Sequence, residues 1–242
     1  MKRLSVLLTF CSLFLFTGCI EILEEIYLNK GGSGKYQIMV DMSALMDESV
    51  QDMLGEFGGE EGANSLKGIE LDSVINFSDS AADQIKALDR PEVFEGSQMR
   101  MAVSDSRDEM VITISMNFKD LSDIEYFSSH LSEIAGEGID GGMSTGLIPE
   151  GTNYLTLKGK KLTRHAAPEG AMGALSEEEL SMAQMFFQGA TFTSVYHFPG
   201  KVKKTTIPGA EIDGNKVTIV SDMLEVMSQE IDLSGDIQFK WK

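Results

Sequence analysis

The sequence predicts an α+β fold: a mainly antiparallel sheet built from hairpins, with helices packed against one face. Three observations predict it. Apolar and polar residues alternate in paired segments joined by Gly- or Asp-rich turns, as in Tyr36, Ile38, Val40 and Met42 after KGGSG. Between such pairs the apolar spacing lengthens to a helical period, as in Leu121, Ile124, Phe127, Leu131 and Ile134. Hairpins with helices set between them are the pattern of an antiparallel sheet rather than a parallel one.

The elements follow in order. Ile22, Ile26 and Leu28 alternate with Glu and Asn and read as a strand, and residues 30–34 read as its turn. From Ser43 the period changes, and Met46, Val50, Met53, Leu54 and Phe57 mark a helix face that ends at Gly58-Gly59. A polar loop follows at 58–65. Val74, Ile75 and Phe77 suggest a short strand, and Ala82 to Leu88 a short helix closed by Pro91. Met99, Met101 and Val103, the turn 104–109, and Met110 to Phe118 form a second hairpin. Asp120 or Ser122 then caps a helix. Residues 136–152 form a glycine-rich loop, and 155–165 a third hairpin. Ser176 and Glu179 form a capping box for a helix through Phe187. Phe192 to Phe198 is a strand ended by Pro199-Gly200. Asp213-Gly214 turns into Val217 and Ile219, and Ile237, Phe239 and Trp241 end the chain as a strand. Strand-then-helix recurs at 35–57, 108–135 and 217–228.

Residues 1–18 read as an export signal. Lys2 and Arg3 precede an apolar run, Leu4 to Phe16, too short to span a bilayer, which takes about 20 residues. Phe16, Thr17 and Gly18 then precede Cys19. This resembles the lipobox of bacterial lipoproteins, with Phe where Leu is usual. The resemblance implies cleavage between Gly18 and Cys19 and acylation of the Cys19 thiol. Residues 19–22 would be the lipidated cysteine and a short tether, and 23–242 a single domain. The two cysteines agree: Cys11 would leave with the signal and Cys19 would be acylated. No thiol would remain for catalysis, a disulfide or zinc.

Charge narrows the partners. Loss of Lys2 and Arg3 with the signal would leave 18 bases against 38 acids, a net charge of −20. Such acidity argues against nucleic acid as a partner. It also disfavours broad adhesion of the folded domain to anionic membranes, so the expected membrane contact is the N-terminal lipid.

EIYLNKGGSGKYQIMVD (25–41) is similar to the strand, Gly-Ser-Gly turn and strand that open LppM-like lipoproteins and many lipoproteins of the Bacteroidota type. YHFPGKVKKTTIPGAEIDGNKVTI (196–219) resembles their C-terminal segment. The resemblance implies an exported envelope lipoprotein and no catalytic residues.

No motif specifies chemistry. GGSGK (31–35) lacks the leading glycine and the trailing Ser or Thr of a phosphate loop, and a strand follows it. Residues 136–141 fit G-x-G-x-x-G but follow a helix, and Glu137 and Asp140 would repel phosphate. The 15 methionines could offer soft ligands to copper, but Met42, Met46, Met53, Met99, Met101, Met110 and Met116 fall on expected inward positions as core filling. His130, His165 and His197 are far apart, with His197 on an outward strand face. Asp105, Asp108 and Glu109 lack the spacing of a calcium loop. No metal or cofactor is expected. The remaining feature is charge asymmetry: Lys158, Lys160, Lys161 and Arg164 on one hairpin, and Lys201, Lys203 and Lys204 on another segment, form a basic patch if the two lie together. It would suit lipid headgroups or an acidic partner.

The leading expectation is a non-catalytic, lipid-anchored envelope protein, at the outer membrane facing the periplasm, that binds a partner or supports an assembly. Ile20 favours the outer membrane, because it avoids an Asp after the cysteine. The second expectation is a carrier of a lipid or other hydrophobic ligand between sheet and helices. The third is a hydrolase whose site is scattered in sequence.

Overall fold

The computed structural model describes residues 20–47, 50, 68–135, 154–166, 187–228 and 230–241. The signal segment, Gly18 and Cys19 lie outside these residues. So do the helix face Met53 to Phe57, the glycine loop 136–152 and the capping box at Ser176 and Glu179.

The described residues form a mixed α and β structure whose sheets are mostly antiparallel. Twelve strands run in chain order: β1 Glu21–Leu28, β2 Gly34–Asp41, β3 Glu70–Asn76, β4 Gln98–Ser104, β5 Glu109–Phe118, β6 Leu155–Lys158, β7 Lys161–Arg164, β8 Thr191–His197, β9 Val202–Thr205, β10 Glu211–Asp213, β11 Lys216–Asp222 and β12 Gly235–Phe239. The α-helices among the described residues are α1 Phe77–Ser80, α2 Ala82–Ala87, α3 Ser122–Ala135 and α4 Met223–Met227, and short 3-10 turns span Ser43–Met46, Pro91–Phe94 and Asp105–Arg107. An eight-stranded sheet has the order β10-β11-β8-β1-β2-β5-β4-β3, and a four-stranded sheet the order β6-β7-β12-β9.

One pairing departs from the antiparallel rule. β1 runs parallel to β8, with Ile22 opposite Phe192 and Ile26 opposite Tyr196. Strand β1 is therefore interior, with β8 on one side and β2 on the other. It begins at Glu21, and Ile20 before it is 2 % exposed. The Ile20 carbonyl accepts the Thr191 N–H at 3.2 Å. Residues 20–22, expected as tether, are thus folded: Ile20 and Ile22 are apolar side chains that the core buries.

Three element boundaries also move. Gly34 belongs to β2, not to the turn. A Cβ there would lie 1.9 Å from the Tyr27 carbonyl oxygen and 2.5 Å from the Phe118 ring, so only glycine lets the strands close. Phe77 opens α1 instead of extending β3, because its buried ring is wanted inside. Trp241 lies past the end of β12, edge-on to Phe239 at 5.0 Å.

Strand parity builds the core. Ile22, Ile26, Tyr36, Ile38, Val40, Ile112, Ile114, Met116, Phe192, Val217 and Ile219 are buried at alternate positions. The methionines expected inside are mostly there: Met42, Met46, Met99, Met110 and Met116 are buried, and Met101 is half-buried. From α3, Ile124, Phe127, Leu131 and Ile134 are buried, which matches its apolar spacing. The Phe127 ring meets Phe94 at 4.9 Å and Phe77 at 6.2 Å. Each such fully buried side chain contributes about 1.5–3 kcal/mol. Asp123 fixes the start of α3. Its buried carboxylate accepts the Lys119 N–H at 2.7 Å and the Asp120 N–H at 3.0 Å, and pairs with Arg90. The Arg90 guanidinium lies over the Tyr126 ring, 4.9 Å from its centre.

Candidate functional site

Strand register sorts the charges of the large sheet by end. Glu21 lies opposite Asp41 and Thr191, and Thr191 opposite Asp222. Asp41 lies opposite Val111, and Ser104 opposite Glu109 and Glu70. The end of the sheet where β1 begins therefore carries Glu21, Asp41, Glu70, Asp105, Asp108, Glu109 and Asp222, with Arg107 the basic residue of its β4–β5 turn.

The other end carries lysines interspersed with acids, Asp213 lying opposite Lys216 and Asp120 following β5. Lys30 tips the β1–β2 hairpin, Lys35 lies opposite Tyr27, and Lys216 opposite His197. Gly32 of that hairpin sits within reach of Leu157 on β6: an added Cβ would be 3.3 Å from its side chain. The Val202 N–H donates to the Gly214 carbonyl at 2.9 Å. These contacts bring the lysine-bearing end of the small sheet beside the Lys30 end of the large one. Eight residues of β1 at about 3.3 Å each separate the two ends by about 25 Å.

The two lysine segments lie on either side of β12. Lys161 and Lys204 both face Gln238 in register. The Phe239 N–H donates to the Lys160 carbonyl at 3.0 Å, and the Lys240 N–H to the Lys201 carbonyl at 2.9 Å. Across two strand spacings Lys161 and Lys204 stand about 10 Å apart. Lys158 sits directly opposite Lys161. Lys158, Lys160, Lys201, Lys203 and Lys204 are exposed. Asp236 answers Lys161 at 3.1 Å and accepts the Thr163 hydroxyl at 2.6 Å. The Thr163 hydroxyl and Lys161 hold the Asp236 carboxyl below the ordinary carboxylate range.

Arg164 does not belong to this patch. It shares the inward parity of Leu162 and is 4 % exposed. Its Nη1 donates to the Tyr196 hydroxyl at 2.8 Å and to Ser194 Oγ at 3.1 Å. Ser194 in turn donates to Glu24 Oε2 at 3.0 Å, and the Tyr36 hydroxyl reaches Glu24 Oε1 at 3.4 Å. Glu24, Tyr36, Ser194 and Tyr196 are each 1 % exposed. Burial opposes charge on Arg164, and its neighbours Tyr196 and Glu24 outweigh that, so its pKa is raised. Burial raises the Tyr196 pKa, against the pull of Arg164. Arg164 thus remains a cation and Tyr196 a neutral phenol that serves as its acceptor. This cluster joins the small sheet to the large one through charge-assisted bonds.

Sequence reasoning did not single out Glu24, Tyr36, Ser194 and Tyr196 as a group. The signal was present in parity: Glu24 lies between Ile22 and Ile26, and Ser194 and Tyr196 between Phe192 and Phe198.

The histidines lie apart. His197 faces outward, stacked on Tyr27 with ring centres 4.1 Å apart, and its Nε2 is 3.0 Å from Glu25. His130 stacks on Tyr126, and His165 lies 2.9 Å from the Thr156 hydroxyl. Among the described residues no group of three or more His, Cys, Asp or Glu is placed to hold a metal ion. No helix among them is long and apolar enough to cross a membrane. The chain matches no protein-family model, no curated protein and no solved structure.

Proposed function

We propose that this chain is a non-catalytic lipoprotein of the cell envelope, held by an acyl group on Cys19 at the outer membrane and facing the periplasm. Its domain acts there as a binding or assembly-support module. One observation supports the reading most: the residue after Cys19 is already packed in the core. Ile20 is buried and bonded to Thr191, and β1 is interior to the large sheet. A lipid on Cys19 would therefore hold the domain by the centre of its sheet, with no slack chain between. The acidic end would lie at the bilayer and the lysine end about 25 Å beyond it, several times the roughly 8 Å over which surface charges act at physiological salt. The lysines would then serve something other than the anchoring membrane. In this reading α1 to α4 and the small sheet cover one face of the large sheet. The contacts among Phe77, Phe94 and Phe127 favour a closed interior over a carrier's cavity.

The test is metabolic labelling. Wild-type protein should incorporate palmitate and lose residues 1–18. Cys19→Ser should accumulate as an unlabelled, uncleaved precursor. Normal labelling and cleavage of Cys19→Ser would refute the anchor.

A further inference from the structure

Lys158 stands directly opposite Lys161 in the β6–β7 hairpin, with Lys160 in the turn between them. Like charges opposed across a strand pair are destabilising. One carboxylate, Asp236, answers Lys161, and it is shared with the Thr163 hydroxyl. Lys201 and Lys204 add charge on the far side of β12. A concentration of one sign that weakens the local fold marks a surface kept for an external counter-charge.

The chemistry of the patch narrows that counter-charge. Its cations are lysines. The arginines among the described residues are elsewhere: Arg90 beside α3, Arg100 on β4, Arg107 in the acidic end and Arg164 inside. Lysine offers a hydrated point charge on a flexible stem, not the rigid fork that reads one carboxylate or phosphate in fixed geometry. A folded protein partner would also need an aromatic or arginine anchor at the centre of the contact. None of the exposed large apolar residues, Tyr27, Leu71, Val74, Ile212 and Val220, stands on β6, β7, β12 or β9, and half-buried Trp241 after β12 is turned edge-on to Phe239. What fits a row of flexible cations about 10 Å wide, with no anchor residue, is a hydrated chain bearing regularly spaced negative charge.

We infer that Lys158, Lys160, Lys201 and Lys204 bind an acidic polysaccharide, one carrying carboxylate or phosphate groups along its length. This names the partner class of the binding module proposed above. It rests on that reading for the direction in which the patch faces, but the binding is independent of Cys19.

The experiment measures binding of the purified full chain to fluorescent polygalacturonate, with dextran as the neutral polymer. The expected result is saturable binding to polygalacturonate and none to dextran. Binding should weaken at least about tenfold between about 50 and about 200 mM salt, because each contact releases counterions. Lys158→Glu/Lys160→Glu/Lys201→Glu should abolish it, and Lys158→Gln/Lys160→Gln/Lys201→Gln should weaken it at least tenfold. Lys86→Glu, on exposed α2, should bind as wild type. Melting temperatures of the variants report folding, and the Gln triple stands in if the Glu triple is unfolded. Undiminished binding by the Gln triple, absence of binding, or tighter binding to polyglutamate or to phosphatidylglycerol vesicles would overturn the inference. Failure here with normal Cys19 labelling would leave the anchor standing, and the reverse pattern would remove the anchor alone.

Discussion

The two ends of strand β7 contrast sharply. At Lys161 the hairpin opens to water, with Lys158 and Lys160 beside it. Three residues on, Arg164 is buried among Tyr196, Ser194 and Glu24. The inner charge is answered within the fold, by hydroxyls and a carboxylate. Among the described residues, the outer charges are answered once, by Asp236. The difference teaches that a run of like charge in sequence is divided by what the strand packs against. The half that is compensated holds the two sheets together, and the half that is not faces water.

The contrast can be broken most forcefully from the inside. Arg164→Ala leaves Glu24 buried without its cation and should destabilise the domain by about 3–5 kcal/mol. Arg164→Met with Glu24→Gln removes both charges and should recover a large part of that loss, measured by urea unfolding. Equal loss in the single and the double variant would show that packing, not charge, holds the sheets.

Gly34→Ala probes the same junction through the backbone. Its Cβ would meet the Tyr27 carbonyl and the Phe118 ring, so the β1–β2 pair must shift. A loss of at least about 2 kcal/mol is expected, of the size that overpacking produces. A melting temperature equal to wild type would contradict the strand closure described here.

At the outer end the signs reverse. Lys158→Glu places opposite charges across β6 and β7 and should stabilise by about 0.2–1 kcal/mol while weakening polyanion binding. A variant that is less stable would show that Lys158 and Lys161 do not oppose one another.

The smallest effect is on pH dependence. Asp236 has its carboxyl lowered by the Thr163 hydroxyl and Lys161, and Asp72 has its own lowered by Arg100. A carboxyl held low in the folded state binds fewer protons there than when unfolded. Its contribution is complete above the ordinary aspartate value of 3.8 and is lost as pH falls below it. Asp236→Asn should flatten the acid limb of a stability–pH curve slightly. No change between about pH 4 and pH 2 would argue against the Asp236 bonds.

Much of this fold was legible in the chain. The β4–β5 hairpin and α3 follow from alternation in Met110 to Phe118 and helical spacing in Leu121 to Ile134, because local periodicity is set by which side faces the core. The inward position of Arg164 was legible too, since it shares parity with Leu162. What could not be read was its partner. β7 meets β8 and β1 through contacts spanning 30 residues to Ser194 and, through Ser194, 170 to Glu24. The parallel β1–β8 pairing is hidden for the same reason, since no turn chemistry joins strands so far apart. Phe77 was misplaced because one buried aromatic fits a strand end or a helix start equally well. The approach of the two lysine segments depends on β12, which enters between them from the C-terminal end of the chain.

The central claim is that the anchor holds the acidic end at the membrane and presents the lysine end away from it. The most direct measurement is fluorescence quenching in vesicles carrying a headgroup spin label. The full lipidated chain is labelled at Arg107→Cys in the acidic end or at Lys30→Cys in the lysine end, both exposed positions. A headgroup nitroxide quenches only fluorophores near the bilayer surface, and the two ends stand roughly 25 Å apart. The account predicts strong quenching at residue 107 and little at residue 30. Equal quenching at both, or stronger quenching at residue 30, would contradict it.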